Sequence, residues 1–172
     1  MNLPETSGLM VWLLPDRDQA HLFSKFIVNL AEQYSTIPFT PHVTLSRVPN
    51  LEREKIVKKT ARLSNLLAPV KVEVGEVLCR SHPYRKITLR LDDEVMIWNY
   101  FNAVNECFEG KYCKENDFHL SLMYVNQKCE DIDLEKIRRE APVIHELHMQ
   151  RIAVVDLNFT PDKWKIIFEQ RL

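Results

Sequence analysis

Two short tetrads in this 172-residue chain each set an imidazole beside a hydroxyl: His42-Val43-Thr44-Leu45 and His119-Leu120-Ser121-Leu122. If each tetrad is a strand, residues two apart share a face and those between point the other way. His42 then projects with Thr44, and His119 with Ser121, while Val43, Leu45, Leu120 and Leu122 turn to the core. The chain holds six histidines, and a matched pair with both interleaved positions apolar arises by chance about once in two hundred such chains. Histidine titrates near neutrality, so one neutral imidazole can take a proton from an attacking water and one charged imidazole can return a proton to a leaving oxygen. Hydroxyls beside them can hold the non-bridging oxygens of a phosphate and gain strength as charge builds there. The chemistry that suits this set is phosphodiester cleavage with two proton transfers, with no covalent intermediate, no metal and no cofactor.

The elements that must position these residues follow from periodicity. Residues 8–14 (GLMVWLL) read as a buried strand stopped by Pro15 and Asp16. Residues 18–34 carry Leu22, Phe26, Ile27 and Leu30 as a helical stripe, with Asp18 as its cap. Pro38 and Pro41 bracket a turn before a strand over 42–48. A second amphipathic helix covers 51–67, with Ile56, Leu63, Leu66 and Leu67 on its inner side. Alternation predicts a strand over 70–79, a hairpin turn at 81–85 and a partner strand over 86–91. A third helix spans 93–108, capped by Asp93. A strand over 118–125, a short helix over 134–140 and strands near 147–157 and 164–171 complete the order, the last two joined by the Thr160-Pro161-Asp162 turn. In two places a helix leads through a polar turn into a strand that opens His-x-Thr/Ser, and a helix follows. The expected architecture is α+β with mostly antiparallel sheet and a pseudo-twofold axis between two lobes, and the cleft between the lobes is the place for a small-molecule site.

Composition narrows the partner. A net charge of −1 argues against long nucleic acid, which demands a dense basic face. Lys55, Lys58, Lys59 and Arg62 fall at helical spacing and read as a solvated face. With only 3 glycines, no Gly-rich phosphate cradle is available, so side chains must hold any phosphate. The segment Met1 to Glu5 has no basic region followed by an apolar core, and no apolar run is long enough for a bilayer, so the expected location is cytoplasmic. The cysteines, Cys79, Cys107, Cys113 and Cys129, form no CxxC pair and make zinc an unlikely partner. Cys107 and Cys113 flank Gly110 closely enough to bridge under oxidising conditions, although unpaired thiols are the commoner state in a reducing cytoplasm.

The two tetrads resemble the signature of the two-histidine phosphoesterase superfamily. Within it, Pro41-His42-Val43-Thr44 and His119-Leu120-Ser121-Leu122-Met123-Tyr124 are similar to the cyclic phosphodiesterases of plants and yeast. The resemblance covers nearly the whole chain in element order, but only the tetrads are specific. It implies a single bilobal α+β domain over 1–172, two mostly antiparallel sheets with outer helices around a central cleft, and catalysis by His42 and His119. It also implies substrate contacts from Thr44 and Ser121, and from Trp12 and Tyr124, which match aromatic positions of the family's cleft. In a regular strand Tyr124 would point away from the histidines, so the strand must twist or end there for it to reach the cleft. Tyr84, in the hairpin turn, is a further candidate to cover a base. The implied substrates are small cyclic phosphates acted on by a monomer: ADP-ribose 1″,2″-cyclic phosphate, a product of tRNA splicing, and nucleoside 2′,3′-cyclic phosphates. The resemblance gives His119 the water and His42 the leaving oxygen. Phe118 departs from the family, which resembles Pro41-His42 in having proline before the second histidine also. Rival substrates on the same fold are RNA ends, as for a 2′,3′-cyclic phosphodiesterase or 2′,5′-ligase, and 2′,5′-oligonucleotides. A rival of another class is a nucleotide-binding protein without activity.

Overall fold

The computed structural model describes residues 3–49, 51–92, 95–109 and 117–172 of the chain. Among these the chain forms β1 (Leu9–Pro15), α1 (Arg17–Gln33), β2 (Val43–Val48), α2 (Arg53–Ser64), β3 (Val70–Cys79), β4 (Ile87–Leu91), α3 (Val95–Cys107), β5 (His119–Met123), α4 (Leu134–Glu140), β6 (Glu146–Asp156) and β7 (Lys165–Arg171). The order agrees with the periodicity, and the class is α+β with every strand pairing antiparallel.

The two sheets expected of a bilobal fold are hydrogen-bonded into one. The strand order is β1-β2-β5-β4-β3-β6-β7, and β1 also pairs with β6. Six strands therefore follow one another in a closed circuit, with β7 attached outside it. The long β6 makes this possible. Its first half, Glu146 to Met149, pairs with β3, and its second half, from Arg151 to Asp156, pairs with β7. Its other edge receives β1 along most of its length. Likewise β3 leaves β6 after Glu73 and takes up β4 from Val74 onward. Two long strands that change partners halfway carry the chain from one lobe to the other.

Helix α1 is capped by Asp16, whose side chain accepts the Gln19 N–H at 2.8 Å, and not by Asp18. The buried residues Phe23, Phe26, Ile27, Leu30 and Ala31 repeat at the three- and four-residue steps of one helical face. Leu22 lies just off that face and is 42% exposed, which corrects the stripe read from sequence. Helix α2 stops at Ser64, with Asn65 as its C-cap, so Leu66 falls beyond the helix and is 73% exposed. Leu67 packs on the core's edge. The expected cap at Asp93 lies outside the described residues. A second difference is covalent: Cys79 and Cys129 form a disulfide with Cα atoms 5.9 Å apart. Sequence separation gave no hint of it, because the register of β3 and the return of the chain after β5 bring the two thiols together. Cys107 is a free thiol, and Cys113 lies outside the described residues. No helix among the described residues is long and apolar enough to cross a membrane.

Candidate active site

The tetrads meet where β2 and β5 pair. Val43 is the register partner of Leu120, and both are fully buried. Extending that antiparallel register by one residue each way sets His42 level with Ser121 and Thr44 level with His119. The interleaved apolar residues thus do more than fill a core. Val43 and Leu120 are the point about which the two tetrads are related, and they drive the four polar side chains to the opposite face. On that face lies a cleft of about 410 Å³, lined by His42, Thr44, His119 and Ser121 together with Trp12, Tyr84 and Tyr124. All seven residues singled out from the sequence therefore border one concavity, whose volume suits a nucleotide-sized ligand.

Both imidazoles are hooked in the same way. His42 Nδ1 lies 2.6 Å from the Thr40 carbonyl oxygen, and His119 Nδ1 lies 3.1 Å from that of Asp117. A carbonyl can only accept, so the proton sits on Nδ1 and, in the neutral ring, the lone pair sits on Nε2. Each hook comes from the residue two before the histidine, although proline precedes one histidine and phenylalanine the other. Phe118 is fully buried and packs edge-on against Trp98 of α3, with ring centroids 5.1 Å apart. Core packing thus does at the second tetrad what a proline ring does at the first: it fixes the backbone entering the strand. Arg80 adds to this by pairing with the Asp117 carboxylate, which steadies the residue whose carbonyl holds His119.

The environment of His42 is dry. It is 4% exposed, and Trp12 stacks flat on it with ring centroids 3.5 Å apart and planes 7° from parallel. Burial is the main cause that lowers its pKa to about 3; the Thr40 hydrogen bond opposes this, and the charge of His119 adds to it. Burial thus holds His42 as a neutral imidazole at physiological pH. Trp12 is itself 2% exposed and belongs to a small core cluster with Leu14, Ala153, Val155 and Leu157. It serves as core on one side and as cleft wall on the other. Among the described residues its buried indole N–H has no hydrogen-bond partner.

Tyr124 reaches the cleft because β5 ends at Met123. The register against β4 also slips between Ile87 and Thr88, which breaks the strict alternation that would have turned Tyr124 away. Its hydroxyl bonds with the Ser121 side chain, and burial raises its pKa. Phe39 stacks on the Tyr124 ring at 3.7 Å. Tyr84 is a half-buried wall: its hydroxyl donates to the Pro4 carbonyl, and its ring lies 5.3 Å from Tyr124 and 5.8 Å from Trp164. Trp164, His82 and Arg85 also line the cleft, and sequence reading had left them as strand-start and turn residues. The only signal for them was an aromatic or basic residue beside a proline turn, which many surface loops share. Among the described residues no group of three or more His, Cys, Asp or Glu is gathered as a metal site would require.

No protein-family model matches the chain, and no curated protein matches it either. Solved structures do match. E. coli LigT complexed with 3′-AMP superposes with a TM-score of 0.64 at 11% identity, covering 98% of this chain and 99% of that one. A structure described as a phosphoesterase gives 0.58 at 12% identity, covering 97% and 99%. Kluyveromyces marxianus Usb1 gives 0.50 at 13% identity, covering 95% and 97%. At such identities the likeness is one of fold, end to end.

Proposed function

We propose that the chain is a phosphoesterase that hydrolyses small cyclic phosphodiesters, namely ADP-ribose 1″,2″-cyclic phosphate and nucleoside 2′,3′-cyclic phosphates, by metal-independent acid–base catalysis. The observation that carries this reading is the matched pair of imidazoles in one cleft, each tied through Nδ1 to a carbonyl two residues back. The similar LigT structures are complexes with 3′-AMP, ATP, NADP+ and phosphate, ligands of the size and charge this cleft would take.

In the proposed reaction a water oxygen attacks phosphorus while one Nε2 takes a water proton. As the bond from phosphorus to the ribose oxygen breaks, the other Nε2 gives that oxygen a proton. A ring-opened phosphomonoester results, the 2′-phosphate or 1″-phosphate by the resemblance. Thr44 and Ser121 hold the non-bridging oxygens, whose charge grows as the water adds. Tyr124 orients the Ser121 hydroxyl through their hydrogen bond. His119 takes the water proton and His42 protonates the leaving oxygen, as the resemblance implies. Because burial holds His42 neutral, this direction requires the bound phosphate to recharge it. A monoanion a few ångströms from Nε2, shielded from water, stabilises the imidazolium by about 4 kcal/mol at an effective dielectric constant near 20. That is enough to offset most of the burial penalty.

The test is turnover of both substrate types in EDTA by wild type, His42→Ala, His119→Ala, Thr44→Val and Ser121→Ala. Each histidine variant should lose at least roughly a hundredfold in kcat, and each hydroxyl variant about ten- to a hundredfold. Activity lost in EDTA and restored by metal would refute metal independence. A folded wild type without turnover would point to RNA ends or 2′,5′-oligonucleotides as substrate, and failure on those to a binding protein.

A further inference from the structure

We infer that the cleft binds a second phosphate of its ligand, distinct from the one between the histidines, on Arg85 and His82; this rests on the reading of the cleft as a nucleotide phosphate site. The charge of the lining points there first. Among the described residues the cleft is bordered by three histidines and one arginine and by no carboxylate, in a chain whose net charge is −1. With no carboxylate in the lining to oppose it, the Arg85 charge attracts anions into the concavity.

Arg85 is half-buried, yet among the described residues its guanidinium enters no ion pair and no side-chain hydrogen bond. By contrast, Arg80, Arg90, Arg138 and Arg151 each pair with a carboxylate. An unpaired guanidinium at a cleft wall offers a planar fork of donors that fits phosphate in two-point contact. His82 complements it. Its Nδ1 accepts the Tyr84 N–H at 3.2 Å, so the neutral ring keeps its proton on Nε2 and can donate that to an anion. Desolvation first, then Arg85 and Lys86, lowers the His82 pKa, and the ring donates in either protonation state.

The hairpin that carries both residues is held in place without a ligand. Arg80 N–H donates to the Lys86 carbonyl at 2.8 Å across its base, and Val125 N–H donates to the Pro83 carbonyl at 3.2 Å. Tyr84 ties its tip to Pro4, and the Cys79–Cys129 bridge secures the strand that leads into it. Donors fixed in advance bind with little ordering cost. The requirement this places on the ligand is chemical: a nucleotide phosphate that also carries a 5′-linked phosphate. A 5′-monoester or pyrophosphate in a small molecule, or the next phosphodiester of an RNA end, would supply it.

Calorimetric binding of products tests this whether or not the protein turns over a cyclic substrate. The ligands are adenosine 2′-phosphate, adenosine 2′,5′-bisphosphate and the adenylyl dinucleotide ending in a 2′-phosphate, with wild type, Arg85→Gln and Arg85→Lys. Wild type should bind one or both of the two-phosphate ligands at least roughly tenfold tighter than the monophosphate. Arg85→Gln should reduce that ratio to near one, and Arg85→Lys should keep part of it. The wild-type ratio should also shrink in roughly 0.5 M salt, a readout that needs no variant. Gain with the bisphosphate identifies a small-molecule source, and gain with the dinucleotide alone identifies an RNA end. Equal affinity for all three ligands, or a gain that survives both Arg85→Gln and salt, overturns the second site. Loss of turnover with the gain intact would instead count against the proposed reaction alone.

Discussion

Stacked under Trp12 and hooked to Thr40, His42 is locked in orientation and deprived of water, and two consequences can be measured. The first concerns protons. If His42 protonates the leaving oxygen, binding a cyclic phosphate must bring a proton in. With the inactive His119→Ala variant and adenosine 2′,3′-cyclic phosphate at pH 6, calorimetry in buffers of differing ionisation enthalpy should show uptake of roughly half a proton. A diester does not titrate near neutrality, and repeating the measurement with His82→Gln added separates uptake at His42 from uptake at the other cleft imidazole. No uptake would reverse the assignment and make His42 the base. The second concerns stability. The folded-state pKa of about 3 lies below the ordinary 6.5, so the unfolded chain binds a proton across that interval while the folded chain does not. Stability is unaffected above pH 6.5 and is lost as pH falls towards 3, by on the order of 2 kcal/mol between pH 6.5 and 5. Thermal melts of His42→Gln should be flatter over this range than those of wild type. Parallel curves would mean that His42 is not held neutral.

At the scale of elements, the site depends on how strands begin and end. Trp12 is the register partner of Thr44 across β1 and β2, which puts its ring beside the first tetrad. The end of β5 at Met123 frees Tyr124 from strand alternation. The hairpin between β3 and β4 supplies Tyr84, His82 and Arg85, and its leading strand is tied by a bridge between residues 50 apart in sequence. Closing a loop of that length should stabilise the fold by about 2–4 kcal/mol. Denaturant unfolding of Cys79→Ser, compared with wild type in the absence of reductant, should show a loss of that size. Wild type treated with dithiothreitol should approach the variant. Identical midpoints would mean that the bridge contributes nothing to the folded state in solution.

For the whole molecule, the closed circuit of strands has a mechanical meaning. Neither half of the sheet is complete without β3 and β6, which serve both halves. One lobe cannot unfold without stripping hydrogen bonds and apolar cover from the other. The buried apolar residues agree, since one large cluster runs from Val11 and Leu13 in β1 through α1, α2, α3 and β4 to Ile152 and Val154 in β6. Scanning calorimetry should therefore show one transition, with calorimetric and van't Hoff enthalpies equal, as a single cooperative domain requires. Two resolved peaks would show lobes that unfold separately.

The order of elements is legible along the chain, because amphipathic periods and proline or aspartate stops are local properties. The sequence also singled out His42, Thr44, His119 and Ser121, because a strand's two-residue period fixes which side chains share a face wherever that strand lies. The rest depends on contacts between distant segments. The Val43–Leu120 register sets the tetrads against each other, and strand ends and β-bulges decide that Trp12, Tyr84 and Tyr124 reach the same cleft. The helix phase that excludes Leu22, the Cys79–Cys129 pairing and the roles of Trp164, His82 and Arg85 were illegible for the same reason. Each depends on which surface another part of the chain covers, and a one-dimensional pattern carries no distance between residues far apart along it.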